Sequence, residues 1–263
     1  MTDEQRLALK IVTGEVSAAQ AARFAREAEI GARVHHRHVL PIVDVGIADG
    51  VPFLAMELAE HGSLEEQRAR FGDATWALPL LAQIAEGLAA LHALGVVHRD
   101  LKPANVLFTT AEDGATVAKI SDFGISTFGA FVAAEVDPTA PTMSTPDVVR
   151  RGITATGALL GTPYYMAPEA IHGAQALTAA ADAFAFGILA CEMLTGRTPF
   201  PAPPFFLALT GEPIATPTVA FDPAIAPAVR EAITACLAIE PAGRPALRSL
   251  AGLLAGDPTR RAA

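Results

Sequence analysis

In this 263-residue chain no other segment of its length sets as many polar and charged residues between two apolar runs as HRDLKPANVLF at 98–108. Ahead of it a helical pattern stops at Gly95, and Val96-Val97 predicts a short buried strand. The polar residues therefore fall on a loop held at both ends. Asp100, Lys102 and Asn105 sit on that loop within a few residues of one another. A carboxylate can accept and orient a hydroxyl's hydrogen bond, an ammonium can neutralise charge on a phosphoryl group in transit, and an amide oxygen can ligate magnesium. These are the groups that phosphoryl transfer needs.

Composition removes several other classes. With 51% hydrophobic and 18% charged residues the chain has ample material for a globular core and is not a disordered protein. A net charge of −9 excludes nucleic acid and anionic membrane surfaces as expected partners, because counterion release needs clustered Lys and Arg. Cys191 and Cys236 each lie in an apolar helical run, which predicts two buried thiols in a reducing, cytoplasmic compartment. The apolar run at 183–194 is shorter than the ~20 residues a membrane span needs, and Glu192 sits near its end. No span, signal peptide or anchor is expected.

Along the chain, RLALKIVT at 6–13 predicts a strand. Residues 17–34 predict a helix opened by the capping box Ser17-x-x-Gln20, with Phe24, Ala28, Gly31 and Val34 on one side. Glu27 falls inside that apolar arc, and a carboxylate there needs a cation, for which Lys10 is the nearest candidate. Glu29 falls on the far side, where an i,i+4 pair with Arg33 accounts for it. His35, His36 and His38 are neighbours on a loop whose side chains diverge, so they predict no metal site. Strands are predicted at 39–45 and 51–57, joined at Ala48-Asp49-Gly50, and the pattern breaks at Glu60-His61-Gly62-Ser63. A core helix is predicted over 78–94, with Pro79 in its first turn and Gly95 as its stop. Asp182 lies in an apolar helix at 179–194 and must be hydrogen-bonded there.

SDFGIS at 121–126 and GTPYYMAPE at 161–169 follow HRDLKPAN in that order. With these motifs the chain, from about Leu7 to about Leu254, resembles a bacterial eukaryotic-like (Hanks-type) Ser/Thr protein kinase domain. Lys102 in DLKPAN is similar to the Ser/Thr rather than the Tyr subclass. The resemblance implies an α+β, bilobal protein-kinase-like fold. Residues 1–59 would form a partial N-terminal lobe, an incomplete antiparallel sheet plus one helix. Residues 60–263 would form the mainly helical C-terminal lobe, with a catalytic loop at 98–105 and an activation segment at 122–169.

The same resemblance implies ATP and Mg2+ as cofactors and transfer of the γ-phosphate to Ser/Thr hydroxyls of protein substrates. Asp100, Lys102 and Asn105 would be catalytic, and Asn105 and Asp122 would hold the metal. Lys10 would meet the α and β phosphates while paired with Glu27. Ala8 would lie against adenine, Met56 would be the gatekeeper, the backbone of Glu57 and Ala59 would face the adenine edge, and Leu107 would line the nucleotide site. Arg99 would pair with a phosphorylated residue of the activation segment, with Thr154 and Thr156 as autophosphorylation positions and Thr162 at the substrate-facing end. Asp182 would bind the backbone of the catalytic loop, and Glu169 and Arg244 would form a buried ion pair.

The chain departs from the family pattern at its start. Nine residues precede Lys10, and with ~5–6 residues per strand a glycine-rich loop between two strands does not fit. This predicts either a coding start upstream of Met1 or a natural minimal form. Two functions compete: a kinase regulated by activation-loop autophosphorylation, or a pseudokinase-like binding or scaffold module with little or no transfer. A small-molecule phosphotransferase is disfavoured, because residues 161–169 resemble a peptide-substrate platform. An exposed apolar sheet edge near residues 7–12 predicts weak nucleotide affinity together with self-association.

Overall fold

The computed structural model describes residues 6–11, 28–29, 31–48, 51–111, 113–123 and 162–256. Ser17, Gln20, Phe24, Glu27, the Asp49-Gly50 turn, Thr154 and Thr156 lie outside them. Three strands, β1 (Leu7–Ile11), β2 (Ile42–Ala48) and β3 (Val51–Glu57), form an antiparallel sheet in the order β1-β3-β2. β3 is apolar at almost every position because it is the central strand, and its Leu54 and Met56 pack with Ala28 and Leu40 into a small core. Ala28, Gly31 and Val34 are buried and Glu29 is exposed, as the helical arc predicts. No ion pair joins Glu29 to Arg33 among the described residues. β1 is an edge strand, with Leu7, Leu9 and Ile11 40%, 60% and 51% exposed.

The strand predicted at 39–45 begins three residues later. Pro41 has no N–H to give a ladder, and its carbonyl accepts the N–H of Glu57. The residues just before it pair elsewhere: Val39 bridges in parallel to Ile120, His38 O accepts from Ile120 N, and Leu40 N donates to Ile120 O. The second sheet is the hairpin β4 (Val106–Thr110) and β5 (Thr116–Ile120), so residues 38–40 stitch the first sheet to the strand that leads to Asp122.

Among the described residues, five helices carry the larger core: α1 (Ala74–Ala93), α2 (Ala179–Thr195), α3 (Pro204–Thr210), α4 (Pro227–Cys236) and α5 (Leu247–Gly256). Helix α1 starts four residues before the predicted position, because Asp73 caps it by accepting from Trp76 N. Pro79 consequently lies inside the helix rather than in its first turn. Leu81, Ile84, Leu88 and Leu91 are all essentially buried. By length and composition α1 could cross a membrane, yet half of its most apolar window is buried inside the protein, as in a core helix. Helix α2 is enclosed all round, with fourteen consecutive residues, Ala181 to Leu194, buried, and is accordingly apolar except for Asp182 and Glu192. Thr178 caps its start, and Gly196, at φ 69°, closes its end by donating to Glu192 O. Cys191 on α2 and Cys236 on α4 are buried free thiols. Burial pushes the Cys236 thiol up to about 12, so both stay protonated.

His38 is a buried base at the seam between the sheets. It is 5% exposed, its Nδ1 donates to Ala118 O at 3.0 Å, and Glu86 lies 3.5 Å from Nε2. Burial lowers its pKa below 6.5, and the Ala118 carbonyl and Glu86 only partly oppose this; burial lowers His36 in the same way. A depressed histidine pKa means that the folded state binds fewer protons than the unfolded chain. The stability these two histidines contribute is therefore full above pH 6.5 and is lost as pH falls through that value toward the folded pKa. Thermal melts from pH 8 to 5 should show this decline, and His38→Asn should flatten it. A melting temperature that rises on acidification would contradict the assignment.

Candidate active site

Helix α1 ends in a Schellman turn: Gly95, at φ 72°, donates to His92 O and Val96 N donates to Leu91 O. Val96 and Val97 are therefore half-buried coil and not the predicted strand, because the Val96 amide is consumed by the helix end. The chain then passes over Asp182 of α2, which is 1% exposed. Its Oδ2 accepts from His98 N and its Oδ1 from Arg99 N, both at 2.8 Å, and His92 Nε2 lies 2.7 Å from Oδ2. Asp182 thus binds the backbone of the 98–105 loop and fixes Arg99 at φ 68°, a conformation unusual for a residue with a side chain.

With that turn held, Asp100, Lys102 and Asn105 converge. Lys102 Nζ donates to Asp100 Oδ2 at 2.8 Å, and Asn105 Nδ2 donates to Asp100 O at 2.8 Å and to Oδ2 at 3.0 Å. No described group bonds to Oδ1 of Asp100. Residues Pro103–Asn105 make one 3-10 turn before β4. At the end of β5, Ser121 donates to Asn105 O through its N–H at 2.9 Å and its hydroxyl at 3.1 Å. Asp122 follows at φ 61°, and its Oδ1 receives Lys10 Nζ at 2.8 Å. Phe123 beside it is buried, with its ring edge-on to His98. Two side-chain groups, Lys10 with Asp122 and Asp100 with Lys102 and Asn105, are thus joined through the backbone of Ser121 and Asn105.

Of the other expected residues, Ala8 stands opposite Met56, and both pack with Leu107 around the small core. The N–H of Glu57 is taken by Pro41, which leaves its carbonyl as the backbone group it could offer a ligand. Ala59 is half-buried, and no described bond uses its N–H. Thr162 opens a 3-10 turn, Thr162–Tyr164. The carboxylate found on Lys10 is that of Asp122, while Glu27 lies outside the described residues. Glu169 and Arg244 do form a bidentate pair, at 2.6 and 2.9 Å.

Some features of the site went unread in the sequence. The Glu57 carboxylate receives Lys119 Nζ at 2.8 and 2.6 Å; a lone Lys in the apolar strand TVAKI was the available signal. Ser63 and Glu66 form a capping box that starts the 3-10 helix Leu64–Arg70, and their spacing was legible. From that helix Arg68 reaches Glu192 at 2.6 Å and Tyr165 at 3.1 Å, and Tyr165 donates to Glu192. Burial and the Glu192 charge push the Tyr165 phenol well up, so it stays a donor. A groove of about 1020 Å³, lined by Val219, Phe221, Arg230, Leu237 and Ile239, includes none of these groups.

A metal at this cluster would have to be a hard cation. Among the described residues no three His, Cys, Asp or Glu side chains gather to hold a metal by themselves. Asn105 has its amide nitrogen committed to Asp100, so its oxygen is what it can offer a metal, and Asp122 could offer its carboxylate. One amide oxygen and one carboxylate, completed by water and phosphate oxygens, suit magnesium.

The family model "Protein kinase domain" matches residues 1–252. The serine/threonine-protein kinase pkn2 of Myxococcus xanthus is 37% identical over 202 residues, 76% of this chain and 22% of that protein. Pkn3 of the same organism, also a serine/threonine-protein kinase, is 32% identical over 236 residues, 86% of this chain and 40% of that protein. The serine/threonine-protein kinase PknH of Mycobacterium bovis is 36% identical over 203 residues, 76% of this chain and 30% of that protein. The chain thus spans between about a fifth and two fifths of the length of these relatives. A loop carrying Asp100 and Asn105, a strand end carrying Asp122 and a sheet carrying Lys10, in a chain matched over 252 residues, place this protein in the protein kinase domain family.

Proposed function

We propose that this chain is a Ser/Thr protein kinase domain that transfers the γ-phosphate of ATP to hydroxyls of protein substrates. The observation that carries the reading is the convergence of Asp100, Lys102 and Asn105, tied through Ser121 to Asp122 and through Asp122 to Lys10. Asp100 Oδ2 is occupied by Lys102 and Asn105, so the carboxylate is held in one orientation and Oδ1 remains to accept the proton of the substrate hydroxyl. Lys102, anchored on the same carboxylate, sets a positive charge beside the oxygen that attacks. Lys10 would exchange Asp122 for the α and β phosphates when nucleotide enters, and Asp122 and Asn105 would hold magnesium, which would supply positive charge to the phosphoryl oxygens. Ala8, Met56 and Leu107 form the apolar adenine wall, with the Glu57 carbonyl and Ala59 amide along its edge.

In this reading residues 1–59 and 60–263 are the two lobes. Arg99 receives a phosphate carried by Thr154 or Thr156, through charge-assisted bonds worth more than neutral ones. Thr162 faces the substrate. The buried, protonated thiols suit a cytoplasmic setting, and the exposed β1 edge would support self-association. The discriminating experiment titrates ATP into the protein with and without magnesium, then follows labelled phosphate into a protein substrate. Asp122→Ala should abolish the magnesium-dependent tightening of ATP binding. Equal magnesium dependence in variant and parent would rule the metal site out, and tight ATP binding without any transfer would favour the scaffold reading.

A further inference from the structure

Among the described residues, two ion pairs join the three-stranded sheet to the segment that carries Asp122. Lys10 of β1 reaches Asp122, and Lys119 of β5 reaches Glu57 at the end of β3. Their spacing matches. Lys10 stands opposite Leu54, three positions before Glu57 on β3, or ~10 Å at ~3.3 Å per residue. Lys119 and Asp122 are likewise three positions apart in the chain, a reach of at most ~10 Å. Beside the backbone stitch at residues 38–40, the β1–β3 ladder and the β5 end are therefore pinned to one another by side chains at two points. The β5 end is itself fixed to the 98–105 loop, because Ser121 donates twice to Asn105 O.

The two pins differ in what the reaction asks of them. Lys10 and Asp122, with side chains 45% and 29% exposed, are the groups assigned to phosphate and magnesium, so nucleotide binding separates them. Lys119 and Glu57 are 13% and 26% exposed, the carboxylate meets the ammonium with both oxygens, and no step of transfer claims either side chain. We propose that Lys119 is a positioning residue: its pair with Glu57 is the side-chain pin that stays, adding to the backbone stitch at 38–40 and holding the sheet and its Lys10 in register over Asp122 while the Lys10–Asp122 pair opens to admit metal-bound nucleotide. This rests on the kinase reading of the site. Without the pin, part of the binding free energy of the nucleotide goes into ordering the sheet against β5, and affinity falls by the fraction of molecules in register. Chemistry, once the nucleotide is seated, proceeds on unchanged groups.

The test uses the whole chain, with magnesium and ATP as the probe, calorimetric Kd, and steady-state KM and kcat. Lys119→Met should raise both Kd and KM for ATP roughly tenfold, the scale of one partly buried coupled contact, while kcat changes by less than about threefold. Lys119→Arg keeps the contact with both carboxylate oxygens and should stay close to the parent. Lys119→Met combined with Glu57→Gln should bind no worse than Lys119→Met alone, since the two changes remove one interaction. Melting temperatures identify any variant that fails to fold, and Lys119→Arg then carries the comparison. If folded Lys119→Met binds ATP as tightly as the parent, or loses kcat with KM unchanged, the positioning role is wrong. A parent chain that binds no ATP would instead overturn the kinase reading, and this inference with it.

Discussion

Asp100→Asn should lower kcat by roughly 10²–10⁴-fold and leave the melting temperature close to that of the parent. The geometry of the loop explains both halves of that result. Asp100 Oδ2 accepts from Lys102 and from Asn105, and an amide oxygen of the same size can accept from both. The backbone bond from Asn105 to Asp100 O does not involve the side chain at all. The loop is also held from below by Asp182, which the substitution does not touch. What changes is the other terminal atom. Where the carboxylate has Oδ1, the amide has a donor, and two donors cannot share the proton of the incoming hydroxyl. KM for ATP should barely move, because Asp100 is assigned to the hydroxyl and not to the nucleotide. The check is steady-state kinetics on a Ser/Thr substrate beside a thermal melt. Turnover equal to the parent's would remove Asp100 from the reaction, and a collapsed melt would show that it is structural.

What could be read from the sequence depended on whether the interacting groups are neighbours in the chain. Asp100, Lys102 and Asn105 lie on one loop, so their convergence was legible, and the lone carboxylate Asp182 in an apolar helix announced that it needed donors. The Glu169–Arg244 pair was legible through resemblance alone, since 75 positions separate the two. The contact between Lys10 and Asp122 was not legible, since 112 positions separate the two and it is made by how the sheet sits on β5. The Lys119–Glu57 pair spans 62 positions and escaped for the same reason.

Boundary errors have more local causes. Pro41 and the Val39–Ile120 bridge displaced the start of β2, because an apolar run alone does not say which residues find ladder partners. Pro79 suggested a helix start, and the Asp73 cap overrode it. Val96 looked like a strand residue by composition, but its amide had already gone to close the preceding helix.

Removing Arg244 should be the most damaging single change to the fold. Its side chain is completely buried. The guanidinium meets both Glu169 oxygens, donates to Ala180 O at 2.9 Å, to Ala238 O and Ile239 O at 2.8 Å, and lies 4.7 Å from the centre of the Phe184 ring. It therefore ties together the 3-10 turn at Pro168–His172, the start of α2 and the chain after α4. Arg244→Ala leaves a carboxylate and three carbonyls without donors in a dry site, a loss of ~3–5 kcal/mol. At ~2–4 °C per kcal/mol for a chain of this size, the melting temperature should drop on the order of 10 °C. Arg244→Lys should recover little of this, because one ammonium with three donors cannot span a two-oxygen acceptor and three carbonyls in a plane. Glu169→Gln should cost less than Arg244→Ala, since an amide oxygen still accepts one bond and the carbonyls keep theirs. Urea and thermal unfolding of the three variants would order them, and an Arg244→Lys protein within about 1 kcal/mol of the parent would show that charge alone, and not the planar fork, is what this junction requires.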